Sequence, residues 1–159
     1  MAIYMKFGSI DGDATLQSYD DWINITSFEW HVDWPITTRA GVKGDLRGGM
    51  HPELSFITVK KNADSASPGL LNAVCRSNTP RMCGFHFIRT DDIGYCYLEY
   101  RFYEALVIHW QMSAGEDGVP AEAVHISFTA FEMSFYPADE ENVVKRMLRV
   151  PRYDIIANK

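Results

Sequence analysis

Tyr95-Cys-Tyr-Leu-Glu-Tyr-Arg-Phe-Tyr-Glu-Ala-Leu-Val-Ile-His-Trp-Gln-Met112 alternates with a period of two. Tyr95, Tyr97, Glu99, Arg101 and Tyr103 fall on one face of an extended chain, and Cys96, Leu98, Tyr100 and Phe102 on the other. The second face is the more apolar, so the reading is a long strand buried on that side. The same alternation runs through Ile3, Met5 and Phe7, and through Trp22 to His31, Leu54 to Lys60, Met82 to Thr90 and Ala123 to Tyr136. In the last of these, Val124, Ile126 and Phe128 have the opposite parity to Phe131, Met133 and Phe135, which predicts a bulge near Thr129 and Ala130.

One segment departs from period two. Ser67 is a good N-cap, Pro68 suits the first helical position, and Leu70, Leu71, Val74 and Cys75 recur at helical spacing. The spacing predicts one short α-helix over about 68–77. Long bent strands around a single helix make a mainly β fold: a small β-barrel or tight sandwich of antiparallel strands, with the helix over one opening or edge.

Composition sets the scale. The chain has 159 residues, 47% hydrophobic and 23% charged, enough for one domain over 1–159 with a full core and no disulfide staples. Fifteen Lys and Arg against 21 Asp and Glu leave a net charge of -6, which opposes sequence-independent binding to a phosphate backbone. Nucleic acid is therefore not an expected partner. No apolar run is long enough to span a bilayer, so no membrane insertion is expected. The first residues lack the basic and apolar regions of a signal peptide, and Cys75, Cys83 and Cys96 form an odd, unpatterned set, the usage of a reducing cytoplasm.

The chemistry-bearing residues specify no reaction. Cys83 and His86 form a C-x-x-H unit, but positions three apart on a strand face opposite sides and cannot clamp one ion. Asp11-Gly-Asp13 lacks the further oxygens of a calcium loop and reads as a turn, as do Asp91-Asp92 and Ser113–Pro120. The sequence contains no nucleophile elbow, P-loop or dinucleotide fingerprint. No catalytic residue, metal or cofactor is expected.

Two segments stand out. Residues 33–52 make a long connection with Gly41, Gly44, Gly48 and Gly49 among Arg39, Lys43 and Arg47, and with Trp34 and Ile36 at its base. Such a length in a compact domain suggests use, and the apolar base suggests an arm ordered against a neighbour. The tyrosines of the outer strand face add a second contact surface. The tail, 138–159, runs from Asp139, Glu140 and Glu141 to Lys145, Arg146 and Arg149, suiting either a helix or a final strand, and reads as a C-terminal extension.

The order of several short motifs carries a resemblance. Met1-Ala-Ile-Tyr-Met-Lys-Phe-Gly, Ile10-Asp-Gly-Asp-Ala-Thr and Trp22-Ile-Asn-Ile-Thr-Ser-Phe-Glu-Trp30 resemble the first two strands of the haemolysin-coregulated protein (Hcp) family, the tube subunit of bacterial type VI secretion. Leu54-Ser-Phe-Ile-Thr-Val-Lys-Lys with Asp64-Ser-Ala-Ser-Pro-Gly-Leu-Leu71 resembles that family's strand-to-helix junction. Ala121-Glu-Ala-Val-His-Ile-Ser-Phe128 and Tyr136-Pro-Ala-Asp139 resemble its late strand and exit, so the likeness covers nearly the whole chain.

The resemblance implies a barrel of two sheets with one helix, and homohexameric rings that stack into a hollow tube carrying effectors. It implies a structural protein, not an enzyme, with spike, sheath and effector proteins as partners. Assembly is expected in the bacterial cytoplasm, followed by secretion without a signal peptide. It gives the extended loop the task of reaching the adjoining ring, with Trp34, Ile36, Arg39, Lys43 and Arg47 as contacts. A domain of this length has a radius of gyration of roughly 15 Å, and six equal spheres in a ring leave a hole one sphere wide. Two other readings remain at this stage. One is a ring that carries or chaperones an effector and rarely stacks; the other is a small barrel binding a hydrophobic ligand, with His86, Glu99 or His125 pointing inward.

Overall fold

A computed structural model of the chain describes residues 1–35, 51–76, 79–89, 95–116, 118–137 and 147–157. These form β1 (Ala2–Phe7), β2 (Ile23–Ile25), β3 (Ser27–Glu29), β4 (Val32–Asp33), β5 (Glu53–Leu54), β6 (Ile57–Asn62), α1 (Ser67–Arg76), β7 (Arg81–Ile88), β8 (Cys96–Ser113), β9 (Ala121–Ser127), β10 (Ala130–Phe135) and β11 (Leu148–Asp154). Strands run in the order β2-β1-β7-β8-β9-β6-β3, every neighbour antiparallel. Only Thr26 separates β2 from β3, and its N–H donates to the Lys60 carbonyl at 2.8 Å, so the two ends of the path meet and a barrel closes. A first sheet holds β2, β1, β7 and the start of β8, extended by β10 and β11, and a second holds the end of β8 with β9, β6 and β3.

β8 belongs to both sheets. Its first half pairs with β7 and β10, its second with β9. A strand that bends from one sheet into the other must keep its apolar side inward, and two local irregularities do this. Phe102 is fully buried, then Ala105 and Val107 are, a change of parity at Glu104, which takes a left-handed φ of 50°. The Thr129 hydroxyl donates to Glu104 Oε2 at 2.6 Å and holds the corner. A register shift between Val107 and His109 then throws Ile108 outward and returns Trp110 to the core.

The interior is filled. Phe85, Phe102 and Phe128 stand ring against ring with centroids 4.7–5.9 Å apart, and Trp30 closes over Phe131 at 5.0 Å. Met5, Phe7, Ile23, Ile57, Val59 and Ile126 complete the packing. Each such side chain contributes roughly 1.5–3 kcal/mol by leaving water. His86 and His125 stand between inward neighbours and point outward, as does Glu99, so none of the three lines a ligand chamber.

Helix α1 covers this core with Leu70 and Ala73. Its entry differs from the expected Ser67 cap. Asp64 Oδ1 accepts the Ala66 N–H at 2.9 Å, while the Asp64 N–H donates to Ser67 Oγ at 3.0 Å, a reciprocal capping pair that starts one turn earlier. Lys61, buried on β6, ties this entry to the barrel. Its ammonium lies 2.7 Å from Asp64 Oδ1 and 2.9 Å from Glu122 Oε2 on β9, and it also donates to the Asn62 carbonyl and to Ser67 Oγ.

Four further expectations are corrected. Trp22 to His31 is not one strand but two, in different sheets, because the chain crosses at Thr26. Ala123 to Tyr136 likewise divides at Phe128 and Thr129, where the chain passes between sheets instead of bulging within one. Nor are the outer tyrosines of β8 a bare surface. The Tyr95 hydroxyl donates to the Tyr136 carbonyl at 2.5 Å, Tyr97 packs on Phe87, and the Arg152 guanidinium lies over Tyr103 at 4.4 Å. Cys96, expected inside, packs with Tyr4 and Ile88 on the outer face. The tail's alternative is resolved over 148–154 as a strand.

That outer face carries a chain of polar contacts. The Tyr19 hydroxyl lies 3.0 Å from His86 Nδ1, and His86 Nε2 lies 3.4 Å from Glu99 Oε1, which suits the tautomer with its proton on Nε2. Glu99 then receives Arg101 Nε at 2.5 Å and the Tyr136 hydroxyl at 3.1 Å, and Arg101 reaches Glu132, which Arg149 also holds. Burial lowers the pKa of His86 against a smaller pull from Glu99. Burial raises that of Glu132, but hydrogen bonds from Arg149 and Tyr103 and the charges of Arg149 and Arg101 leave it below the ordinary range.

Two outcomes are expected. Lys61→Met leaves two buried carboxylates without their cation and costs about 3–5 kcal/mol; in urea melts, the Lys61→Met/Glu122→Leu double variant loses less than the two single losses added. For pH, the folded chain binds fewer protons than the unfolded chain at His86 below the ordinary histidine value of 6.5, so stability falls as pH drops through that range. A second fall follows below 4.5, where unfolded Glu132 takes up its proton first. Denaturant midpoints measured from pH 7.5 to 3.5 display both steps, and His86→Gln flattens the first.

Candidate functional site

Surface features carry what this fold offers, since its interior is occupied. The connection expected over 33–52 begins and ends as a two-stranded ribbon. Val32 pairs with Leu54 and Asp33 with Glu53, outside both sheets, and His31 and Ser55 continue the ladder through a 3.0 Å backbone bond. Trp34, just past the ribbon, is 52% exposed. Of the predicted contacts, Trp34 is thus placed at the surface, while Ile36, Arg39, Lys43 and Arg47 lie outside the described residues. Asp33 and Glu53 face each other as like charges, with His31 Nε2 3.5 Å from Asp33 as an exposed and weak counterweight. At the foot of the ribbon a groove of about 320 Å³ runs between Leu54, Phe56, Ile108, Phe128 and Ile155.

Sequence reading did not find the next feature. On the outer face of the second sheet, Phe56 stacks on His125 and His125 on His109, both with ring centroids 4.6 Å apart. Burial lowers the pKa of His125, and the neighbouring His109 lowers it further. The imidazoles are only 27° from parallel, so their lone pairs do not converge on one ion, and the stack is a packing feature. A register shift brings it about, and no motif spacing signals it.

A second groove, about 330 Å³, opens on the outer face of the first sheet between Lys6, Trp22, Met82, His86, Glu99 and Arg101. Its floor is Gly84, in register with Lys6 on one side and Arg101 on the other. Trp22 reaches the groove because residues 8–22 fold back over the sheet, where Tyr4, Tyr19, Trp22 and His86 stack with centroids 4.7–5.5 Å apart. Gly12 makes that fold possible: a Cβ there comes within 2.5 Å of the Trp22 carbonyl. Asp13 fastens the loop to the helix entry by accepting the Ser65 N–H at 3.2 Å, and its hydrogen bonds to Ser65 lower its pKa.

These polar groups are arranged for contact. Both His86 nitrogens are engaged, and the thiols of Cys83 and Cys96 are raised in pKa by burial, away from the thiolate a nucleophile requires. Cys83 sits in the core and His86 on the outer face, on opposite sides of β7. Among the described residues no helix is long and apolar enough to cross a membrane.

Comparison with known proteins follows the same line. The model of the family described as "Type VI secretion system effector, Hcp" matches residues 4–135. A solved type six secretion system protein superimposes with a TM-score of 0.91 at 21% identity, over 99% of this chain and 98% of the other. Hcp1 of Salmonella typhimurium gives 0.80 at 22% identity, over 99% and 97%. A type VI secretion system effector from Yersinia pestis gives 0.73 at 16% identity, over 96% and 98%. At these identities the structures speak for the fold, and no curated protein sequence matches the chain. The family match spans most of the chain, and the solved structures share its fold over nearly its whole length: the chain belongs to the Hcp family of type VI secretion proteins.

Proposed function

We propose that this chain is a tube-building Hcp subunit, a structural protein and not an enzyme. Six copies form a ring, the rings stack through the 33–52 arm, and the tube carries effectors and is expelled with them. The observation that carries this reading is the ribbon beneath the arm. A two-stranded stalk lifts Trp34 and the like-charged Asp33 and Glu53 clear of both sheets, an arrangement without benefit to an isolated subunit. The filled barrel adds support: passengers have no room inside a subunit, so a passage has to lie between subunits. The same filling speaks against a hydrophobic ligand inside the barrel.

Stacking repeats each arm contact six times around the axis, so each can be weak while the joint is firm. Residues 1–159 act as one unit in this reading, with 138–159 as an extension closing the first sheet through β11. Spike, sheath and effector proteins are the partners, met during assembly in the bacterial cytoplasm before secretion.

Light scattering of the purified chain is expected to give particles near six times 18.1 kDa, seen as rings by negative stain; a monomer at every concentration rejects the proposal. Deleting Arg39 to Gly49 is expected to leave rings intact and abolish both stacks and secretion. Rings that secrete normally without the arm favour an effector carrier that does not stack.

A further inference from the structure

Gly84 occupies the middle of β7, where glycine weakens a strand by about 0.5–1 kcal/mol relative to alanine. Two other glycines have local reasons. Gly8 takes a φ of +56° and a Cβ there lies 2.7 Å from Arg81 Cδ, and Gly12 touches the Trp22 backbone. Gly84 has neither: its nearest neighbour to an added Cβ is the Tyr100 carbonyl oxygen at 4.0 Å. The glycine is buried at the floor of its groove, yet the chain's own packing leaves room above it for a Cβ, and a strand glycine with such room marks a place where something else can come close.

The surroundings describe the visitor. Trp22 and 56%-exposed Met82 supply apolar walls, and Lys6 and Arg101 flank the glycine in register. Arg101 is committed to Glu99 and Glu132, whereas Lys6 meets exposed Asp11 at 2.6 Å and the Asp21 carbonyl at 3.3 Å, and its ion pair with Asp11 exchanges partners at little cost. The notch therefore fits a large apolar side chain accompanied by carboxylates. The chain displays that combination: Trp34 with Asp33 and Glu53, whose mutual repulsion a foreign cation relieves.

We propose that the Trp34 end of the β4–β5 ribbon of one copy docks in the Gly84 notch of another, the indole over the glycine and the two carboxylates towards Lys6. This rests on the self-assembly reading and names the receiving surface of the arm. Ribbon and notch are different patches, so the contact is heterologous, the kind that propagates around a ring or along a stack. Trp and its surrounding rim are also the usual bearers of interface energy.

The test uses the full-length chain. In a Cys75→Ser background, Pro35→Cys/Met82→Cys, oxidised with copper phenanthroline, is expected to give a ladder of covalent multimers on a non-reducing gel, absent from the background chain and from either single variant. Gly84→Val is expected to melt at or above the wild-type temperature yet need at least tenfold more protein for half-assembly. Should Gly84→Val melt early, Asp33→Lys/Glu53→Lys, which changes only exposed groups, is expected to show the same tenfold loss. Wild-type assembly with no ladder, and with these variants assembling normally, overturns the notch contact and leaves self-assembly standing. A wild-type chain that never associates overturns both.

Discussion

A strand that serves two sheets constrains everything around it. β8 supplies a partner to β7, β10 and β9, so the angle at which it turns sets the angle between the sheets. Its alternation cannot survive that turn unbroken. Glu104 in a left-handed conformation and the extra residue at Ile108 each shift the parity once, and between them Phe102, Ala105, Val107 and Trp110 all reach the same core. The cost of the left-handed residue is of order 1–3 kcal/mol, small beside the rings that the turn brings together.

The second fixed point is Lys61. A buried ammonium shared by Asp64 and Glu122 is an insecure source of net stability, because desolvation offsets much of the attraction. Its effect here is positional. Asp64 both caps the helix entry and meets the lysine, so the helix can leave the barrel at only one place. The helix in turn lies against Ile10, whose side chain crowds Gly69, and the loop that follows Ile10 folds over the first sheet to build the wall of the Gly84 groove. A core interaction thus shapes a surface far along the chain.

Much of the fold was legible because alternation is a local signal. Leu98, Tyr100 and Phe102 turned inward as their spacing predicts, and the helix fell within a residue of the expected span. What escaped were places where a distant partner decides. Glu99 reads as an exposed charge on its own strand, yet it is buried once His86 on β7 and Tyr136 after β10 join Arg101 of β8 around it. Ser67 reads as the cap by its place before Pro68, whereas the buried Lys61, three residues before Asp64, favours the Asp64 carboxylate. Thr26 and Thr129, where the chain changes sheets, carry no glycine or proline to announce it. The 33–52 connection stands out by composition, whereas the Gly84 groove depends on three strands in register, which no single segment discloses.

The pairing of β6 has a bearing on how the molecule comes into being. Ile57 has its ladder partner at Ile126, and Ser27 to Glu29 can join only a β6 already in place. A ribosome that has released the first hundred residues has therefore released an apolar strand whose second neighbour does not yet exist. Until β9 emerges, that bare edge is open to the same edge on a sister chain. The interval recurs in every round of synthesis and ends only when β9 leaves the ribosome.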